Sequence, residues 1–237
     1  MVVWIGLAIM LSSSDYLVVA LLILPQVLAT VSSSAVWAEL YSGPGQTGSK
    51  FSTEDYIPDL AKYQYDDQAV SICAAGVWIV YEHHDYNSAG MGEKFVVFGN
   101  GDCIELPSEL ASKVTSIRQA GSPIVADRSS ITLYAYTKFR GPELFVTRNW
   151  TNLYIFNDQT YSAIITGSQP WTVYTYDSYQ GLAKCLVPDL TVTVGDVGVN
   201  VGLFPTYTEL GSSGVIRSVQ QGCHSEDIIW ASTQLQH

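Results

Sequence analysis

The sequence predicts an all-β protein built from antiparallel sandwiches. Past residue 36, short alternating or aromatic-rich runs recur, and stretches rich in glycine and proline separate them. No long apolar stripe with the period of a helix occurs in this part of the chain. Strands with such regular breaks are typical of antiparallel sandwiches and barrels. The runs are VWAELY, VWIVYEH, KFVVF, ITLYAY, ELFVT, WTVYTY and LTVTV.

Length and composition exclude several classes of protein. The chain has 237 residues, enough for one large domain or two small ones. Charged residues make up 14% and hydrophobic residues 47%, a balance unlike that of a disordered chain. The net charge of −11 argues against nucleic acids and anionic membranes as partners. It suits a cation-binding surface or a merely soluble one.

The first 35 residues have the character of a targeting segment. The apolar run YLVVALLILPQVLAT, residues 16–30, is followed by VSSSA, whose small residues Ser33 and Ala35 fit a signal-peptidase site. We therefore expect residues 1–35 to be a signal peptide and the protein to be secreted. The alternative is an uncleaved membrane anchor through residues 16–31, although this run is a little short to span a bilayer.

Two further features fit a secreted chain. The cysteines number four, which in an extracellular protein favours two disulfides, and their spacing matches no zinc-binding pattern. Three pairings are open among Cys73, Cys103, Cys185 and Cys223. The tripeptide NWT makes Asn149 an acceptor for N-glycosylation and predicts a surface loop there.

A short aromatic pattern occurs four times. Its full form is an aromatic residue, a second aromatic five positions later and a glycine two positions after that, as in YAYTKFRG and YTYDSYQG. In YEHHDYNS the glycine is replaced by Ser88, and in YSGPGQTG the second aromatic is replaced by Gln46. The pattern predicts a folded-over hairpin, in which the two rings pack together and the glycine adopts a backbone conformation that a side chain would oppose.

A second element follows each of these hairpins. It reads DDQAVSI, ASKVTSI, NDQTYSA and SGVIRSV at residues 66–72, 111–117, 157–163 and 213–219. The sixth residue is serine in every copy: Ser71, Ser116, Ser162 and Ser218. Two signals repeated four times in the same order indicate four copies of one structural unit.

These two elements resemble the signature of the βγ-crystallin family, in the form of a secreted, invertebrate-type member. The resemblance implies Greek-key motifs folded in pairs into two β-sandwich domains. The first would cover residues 36–121 and the second residues 130–222. Residues 122–129 would be the linker and residues 223–237 a C-terminal tail.

The resemblance also implies calcium sites. In calcium-binding members an acid or amide from one loop and the fifth-position hydroxyl of the paired loop face a shared ion, a set of oxygen ligands that calcium accepts. Asp66 and Asp67 match the acid positions of the first loop, but Val70 at its fifth position offers no oxygen. The paired loop supplies Thr115, so Asp67 with Thr115 makes one plausible site.

Three further positions complete this expectation. The main-chain carbonyl of Glu82 or Ser42 would be an additional ligand in the first domain. In the second domain Asn157 and Asp158 match the pattern, yet Arg217 stands at the fifth position of the facing loop. A charge-assisted pair between Arg217 and Asp158 is expected there, which makes this second calcium site the weaker one.

The sequence therefore predicts a secreted, non-enzymatic structural protein with weak calcium binding in its first domain. It carries no G-x-S-x-G, H-E-x-x-H, P-loop or EF-hand pattern, and no catalytic residues are assigned. The alternative is an extracellular recognition module, glycan-binding, toxin-like or protease-inhibiting, that uses the sandwich as a scaffold. Function resides in sites rather than in folds, so the fold does not choose between these two.

Overall fold

The computed structural model describes residues 36–211 and 213–231, and this part of the chain is all-β, as predicted. The predicted signal peptide and anchor, within residues 1–35, lie outside the described residues. In the described ranges no helix is long and apolar enough to cross a bilayer. The strands are β1 (Trp37–Gly43), β2 (Thr47–Thr53), β3 (Ser71–Tyr81), β4 (Lys94–Glu105), β5 (Ser116–Ala120), β6 (Ser130–Tyr136), β7 (Arg140–Val146), β8 (Ser162–Thr166), β9 (Trp171–Tyr176), β10 (Gln180–Val187), β11 (Leu190–Val194), β12 (Val197–Phe204), β13 (Ser218–Gln221) and β14 (Ile228–Trp230).

Helical structure in the described residues is limited to single turns that connect strands. They are Leu60–Tyr63, His84–Asn87, Thr137–Phe139, Tyr154–Phe156 and Asp177–Tyr179. Three of these turns lie at the tips of the folded hairpins and contain residues with left-handed backbone angles, among them Asp85, Lys138 and Ser178.

Two long strands run through both halves of the first sandwich. Strand β3 pairs with β1 through Ser71–Ala75 and with β5 through Val77–Tyr81, while β4 pairs with β3 along its length. Gly76 divides the two halves of β3 and has a φ of +93°. An isolated β-bridge between Ile57 and Ile117 places the segment around Ile57 beside β5. Each motif thus lends one strand to the sheet of the other, which is the Greek-key exchange.

The second sandwich repeats this arrangement and extends it. Its sheets have the orders β11-β12-β8-β6-β7 and β13-β9-β10-β14, and a bridge joins Trp150 to Val219 beside β13. Strands β11 and β14 are the outermost members of their sheets and have no counterpart in the first sandwich. Residues 121–129 contain neither strand nor helix. The division into two domains at this segment stays a prediction.

The β11–β12 hairpin packs against the first sandwich. Val194 and Val199 belong to the same buried cluster as Trp78. The hairpin tip is fixed by the side chain of Asn100, whose Oδ1 accepts from the Gly195 amide at 2.6 Å and whose Nδ2 donates to the Gly195 carbonyl at 3.2 Å. The sequence predicts β11 as a strand but does not show that its hairpin joins the two halves of the molecule.

The folded hairpins have the predicted internal packing. Ring centroids lie 5.6 to 5.8 Å apart in the pairs Tyr81–Tyr86, Tyr134–Phe139 and Tyr174–Tyr179. Gly141 and Gly181 have φ values of +73° and +83°, in the left-handed region that glycine tolerates. A Cβ at Gly141 would collide with the ring of Tyr136. The aromatic spacing and the glycine are therefore both consequences of one backbone fold.

The repeated serine ties each hairpin into its folded shape. All four serines are fully buried. Their hydroxyls donate, at 2.6 to 2.9 Å, to the carbonyls of Gly43, His83, Tyr136 and Tyr176. They accept, at 2.9 to 3.3 Å, from the amides of Gln46, Tyr86, Phe139 and Tyr179. Each hydroxyl thereby satisfies two main-chain groups that the turn would otherwise leave unpaired.

Two disulfides are formed, as the even cysteine number predicts. Cys73 and Cys103 face each other on β3 and β4, and Cys185 of β10 is joined to Cys223. The second bond closes the start of the C-terminal segment onto the sandwich, and β14 then runs parallel to β10. Trp230 on β14 is 65% exposed.

Removal of one bridging hydroxyl should destabilise the protein. Ser162→Ala leaves the buried Phe139 amide and the partly buried Tyr136 carbonyl without this partner, so we expect the free energy of unfolding to fall by about 1–3 kcal/mol. Urea denaturation measures this loss. Ser108→Ala, at an exposed serine, is the matched control and should change stability by less than about 0.5 kcal/mol. Equal effects of the two substitutions would contradict the bridging role.

Candidate metal centre

The second repeated element forms two loops that face each other in each sandwich. Its second residue has left-handed backbone angles in all four copies: Asp67, Ser112, Asp158 and Gly214. In the first sandwich the amide of Asp67 donates to the Val114 carbonyl at 3.1 Å, and the amide of Ser112 donates to the Ala69 carbonyl at 2.7 Å. The reciprocal bonds hold the second residue of one loop against the fourth residue of the other.

The fifth residue of the element is fixed beside the hairpin. Its amide donates to the carbonyl of the first hairpin aromatic at 2.8 to 2.9 Å, in the pairs Val70–Tyr41, Thr115–Tyr81, Tyr161–Tyr134 and Arg217–Tyr174. The residue after that aromatic therefore lies next to the fifth residue. This places Glu82 beside Thr115 and Ser42 beside Val70. The loop that faces Val70, residues 111–117, has no acid at its first two positions.

The structure brings Asp67, Thr115 and Glu82 into one neighbourhood. Removal from water raises the pKa of the Asp67 carboxyl, and the negative charges of Asp66 and Glu82 add to this rise. The side chain of Thr115 opposes it by hydrogen bonding, and His83 opposes it electrostatically. A raised pKa favours the folded state while Asp67 is protonated, and this contribution is lost as the pH rises through the folded value. A cation beside the ionised carboxylate would reverse that loss.

Asp66 adds an unsatisfied oxygen to the same loop. Its Oδ1 is buried and has no hydrogen-bond partner among the described residues. A buried carboxylate oxygen without a donor is costly unless an ion or water approaches it. The loops therefore offer a hard cation the carboxylates of Asp66 and Asp67 and the hydroxyl of Thr115, and the Glu82 carbonyl is the further oxygen that the resemblance implies. The residues present fit calcium, which takes oxygen ligands of this mixed kind.

The loops of the second sandwich have the same main-chain bonding, but an arginine side chain lies where the first sandwich has a threonine. The Asp158 amide donates to the Ile216 carbonyl at 3.3 Å, as Asp67 does to its own partner. However, the Arg217 guanidinium binds both carboxylate oxygens of Asp158, with Nε–Oδ1 at 3.0 Å and the terminal nitrogen 2.7 Å from Oδ2. The side-chain pair predicted from the sequence is therefore present. The Asn157 Oδ1 nevertheless lies buried without a partner, like its Asp66 counterpart.

Other candidate residues lie outside these loops. Among the described residues, no group of three or more His, Cys, Asp or Glu side chains is arranged to hold a metal. Asn149 is exposed in the loop before the Trp150 bridge, and its Oδ1 accepts from the Gln221 amide at 2.8 Å. His83 and His84 are exposed in the turn of the second hairpin rather than on a strand.

One residue that supports the site was missed by the sequence reasoning. Asn87 is fully buried, its Oδ1 accepts from the His83 amide at 2.8 Å, and its Nδ2 donates to the Glu93 carbonyl at 2.8 Å. It thereby closes the longer hairpin that carries Glu82. No repeat marks this position, because the extra residues of this hairpin occur in one copy alone.

The ion pair between Asp158 and Arg217 should lower the pH at which Asp158 titrates. Hydrogen bonding to Arg217 lowers the pKa of Asp158, so its contribution to stability is present above the unfolded value of about 3.9 and is lost as the pH falls through the lower folded value. Carboxyl carbon chemical shifts should therefore titrate below that value at Asp158. In Arg217→Gln the midpoint should move up. An unchanged midpoint would contradict the pair.

Comparisons with known proteins give the fold a name. No protein-family model matches the sequence, and no curated protein matches it. Geodin, a βγ-crystallin from the organism Geodia cydonium, is 18% identical and matches over 79% of this chain and 99% of its own, with a TM-score of 0.59. A βγ-crystallin from Ciona intestinalis is 22% identical over 39% of this chain and 98% of its own, with a TM-score of 0.30. One from an archaeon is 21% identical over 39% of this chain and 96% of its own, with a TM-score of 0.31. The likeness to geodin and the exchange of strands between paired motifs identify the fold of this chain as that of the βγ-crystallins.

Proposed function

We propose that the protein is a secreted, non-enzymatic structural protein whose first sandwich binds one calcium ion weakly. The observation that carries the proposal is the main-chain bonding that sets the Asp67 loop against the Thr115 loop, beside the buried and unpartnered oxygen of Asp66. The reciprocal hydrogen bonds between the loops hold this arrangement in place before any ion arrives.

The donor set accounts for a weak site rather than a tight one. Asp66 and Asp67 supply the negative charge, while the Thr115 hydroxyl and the Glu82 carbonyl supply neutral oxygens. Val70 offers no hydroxyl to the other half of the loop pair, whose facing loop has no acid, so the pair provides one site rather than two. Calcium affinity follows the number of charged ligands and the rigidity of the site, and here the charge is low. Bound calcium would supply the positive charge that the repelling carboxylates lack.

Secretion has independent support. Both disulfides lie in the sandwiches, and such bonds persist in oxidising compartments outside the cytosol. Asn149, the acceptor of the glycosylation motif, is exposed as a modified residue must be. Together with the predicted signal peptide, these features favour an extracellular protein that gains stability from calcium in its surroundings.

A recognition function is the second candidate, favoured by one surface. A shallow cavity of about 400 Å³ is lined by Arg148, Asn149, Trp150, Asn152 and Tyr154, so this surface is open to a foreign glycan only in molecules that carry no glycan on Asn149. The Trp150 and Tyr154 rings lie 6.5 Å apart, and Tyr154 is 70% exposed. Aromatic faces beside amide and guanidinium groups suit a glycan. A glycan array tests this candidate: a specific hit that Trp150→Ala abolishes would support it, and an array without hits would reject it.

Calorimetry tests the calcium proposal. The full chain should bind one calcium ion and melt at a higher temperature with millimolar calcium, because the ion binds the native state alone. Asp67→Asn removes the charge and tolerates the left-handed backbone, so binding should be lost while the fold remains. Asp158→Asn is the matched control in the other sandwich and should still bind one ion. The site would be refuted if the wild-type chain gave no heat of calcium binding and an unchanged melting temperature. Calcium binding by Asp67→Asn at the wild-type level would refute it as well.

The hydroxyl ligand gives a finer test. Thr115→Val keeps the shape of the side chain and removes its oxygen, so we expect the calcium dissociation constant to rise about tenfold, equivalent to about 1.4 kcal/mol. Thr208→Val, at an exposed threonine away from the loops, is the control and should leave the constant unchanged. If Thr115→Val bound calcium with the wild-type dissociation constant, Thr115 would not be a calcium ligand.

A further inference from the structure

A cavity of about 470 Å³ lies away from the loop pairs. One wall is formed by Lys94 and Phe95 at the start of β4 together with Leu110, and the other by Lys138 and Pro205. The second wall is held together by the Lys138 amide, which donates to the Pro205 carbonyl at 2.6 Å. The volume falls within the range of about 300–1,000 Å³ that is usual for small-molecule sites.

Lys94 brings an unpaired amine to this cavity. Its side chain is half-buried, and its Nζ lies 5.8 Å from the centre of the Phe139 ring. Among the described residues it forms no ion pair within 4 Å, although glutamates line the same cavity. An ammonium held partly out of water without a carboxylate partner is disfavoured relative to the neutral amine.

The positively charged neighbours of Lys94 also favour the neutral amine over the ammonium. Burial, together with the positive charges of Lys138 and Arg140, lowers the pKa of Lys94 to about 8, and the negative charge of Glu93 opposes this. At pH 7.4 roughly a fifth of such amines are neutral, against about 0.1% for an ordinary lysine. The remaining charged groups that face the cavity are Glu109 and Glu209.

We propose that Lys94 is a nucleophilic amine that captures small, uncharged aldehydes in this cavity. The lone pair of Nζ adds to the aldehyde carbon, and the carbonyl oxygen takes up a proton as Nζ releases one, which gives a carbinolamine. Loss of that hydroxyl with the second Nζ proton releases one water and leaves an imine. The step requires no oxidant or reductant.

The preference for an uncharged aldehyde follows from the walls. Two lysines and three glutamates face the cavity, so neither an anion nor a cation finds a surface of uniformly opposite charge. Phe95, Leu110 and Pro205 supply apolar contact for a small carbon chain.

Site-resolved labelling of the full chain tests the proposal. The protein is treated with a limiting amount of glycolaldehyde and cyanoborohydride, which reduces the imine to a stable amine, and modified lysines are mapped by mass spectrometry. Lys94 should be labelled at least tenfold faster than Lys62, whose side chain is 69% exposed. Its rate should rise with pH and level off above about 8, as the free amine fraction does.

Two variants and one comparison decide the outcome. Lys94→Arg keeps the positive charge and should remove the fast phase of labelling, whereas Lys62→Arg should retain it. Pyridoxal phosphate, an anionic aldehyde, should label Lys94 less selectively than glycolaldehyde does. Labelling of Lys94 at or below the rate of Lys62 in the wild-type chain, or a rate at Lys94 that is still rising above pH 9, would overturn the proposal.

Discussion

The hydrogen bonds of one buried serine hydroxyl in each motif are the interaction on which the rest of the structure depends. Each hydroxyl joins a carbonyl and an amide on the two arms of a folded hairpin. The amide of the preceding residue donates to the carbonyl of the first hairpin aromatic. The serine and the residue before it therefore fix the position of the loop relative to the hairpin. The aromatic stacking and the left-handed glycine follow from that fold. So does the position of each side chain at the fifth place of the element.

This constraint explains how four similar loops can have different chemistry. The main chain brings Thr115 and Arg217 to equivalent positions, and it brings Asp67 and Asp158 to equivalent positions facing them. In one sandwich the carboxylate meets a neutral hydroxyl, and its pKa is raised by its surroundings. In the other it meets a guanidinium, and its pKa is lowered. The side chain at the fifth place therefore sets the charge that faces the carboxylate, neutral at Thr115 and positive at Arg217.

Sequence reasoning predicts the features that repetition makes visible. Four copies of the serine element and three of the aromatic pair were enough to predict the sandwiches and the ring packing. The joint binding of calcium by Asp67 and Thr115 stays a prediction. Features that occur once could not be predicted in this way. Arg118 is an example: a lone arginine in a strand is normally exposed. Here it is fully buried, donates to the Tyr81 hydroxyl at 2.9 Å and to the Gly141 carbonyl at 3.0 Å, and lies 3.3 Å from Glu143. Gly141 and Glu143 belong to the second half of the chain and reach Arg118 through tertiary packing, as the β11–β12 hairpin reaches Asn100, and no local pattern encodes such contacts.

The central claim is that the four loops share one frame and that the loop pair of the first sandwich alone accepts calcium. Amide chemical shifts during a calcium titration test it most directly, because they report both sandwiches of the same molecule at once. The account predicts saturable shifts at Asp67, Thr115 and Glu82, with Asp158 and Arg217 unmoved. Equal shifts in both loop pairs, or none in either, would contradict it.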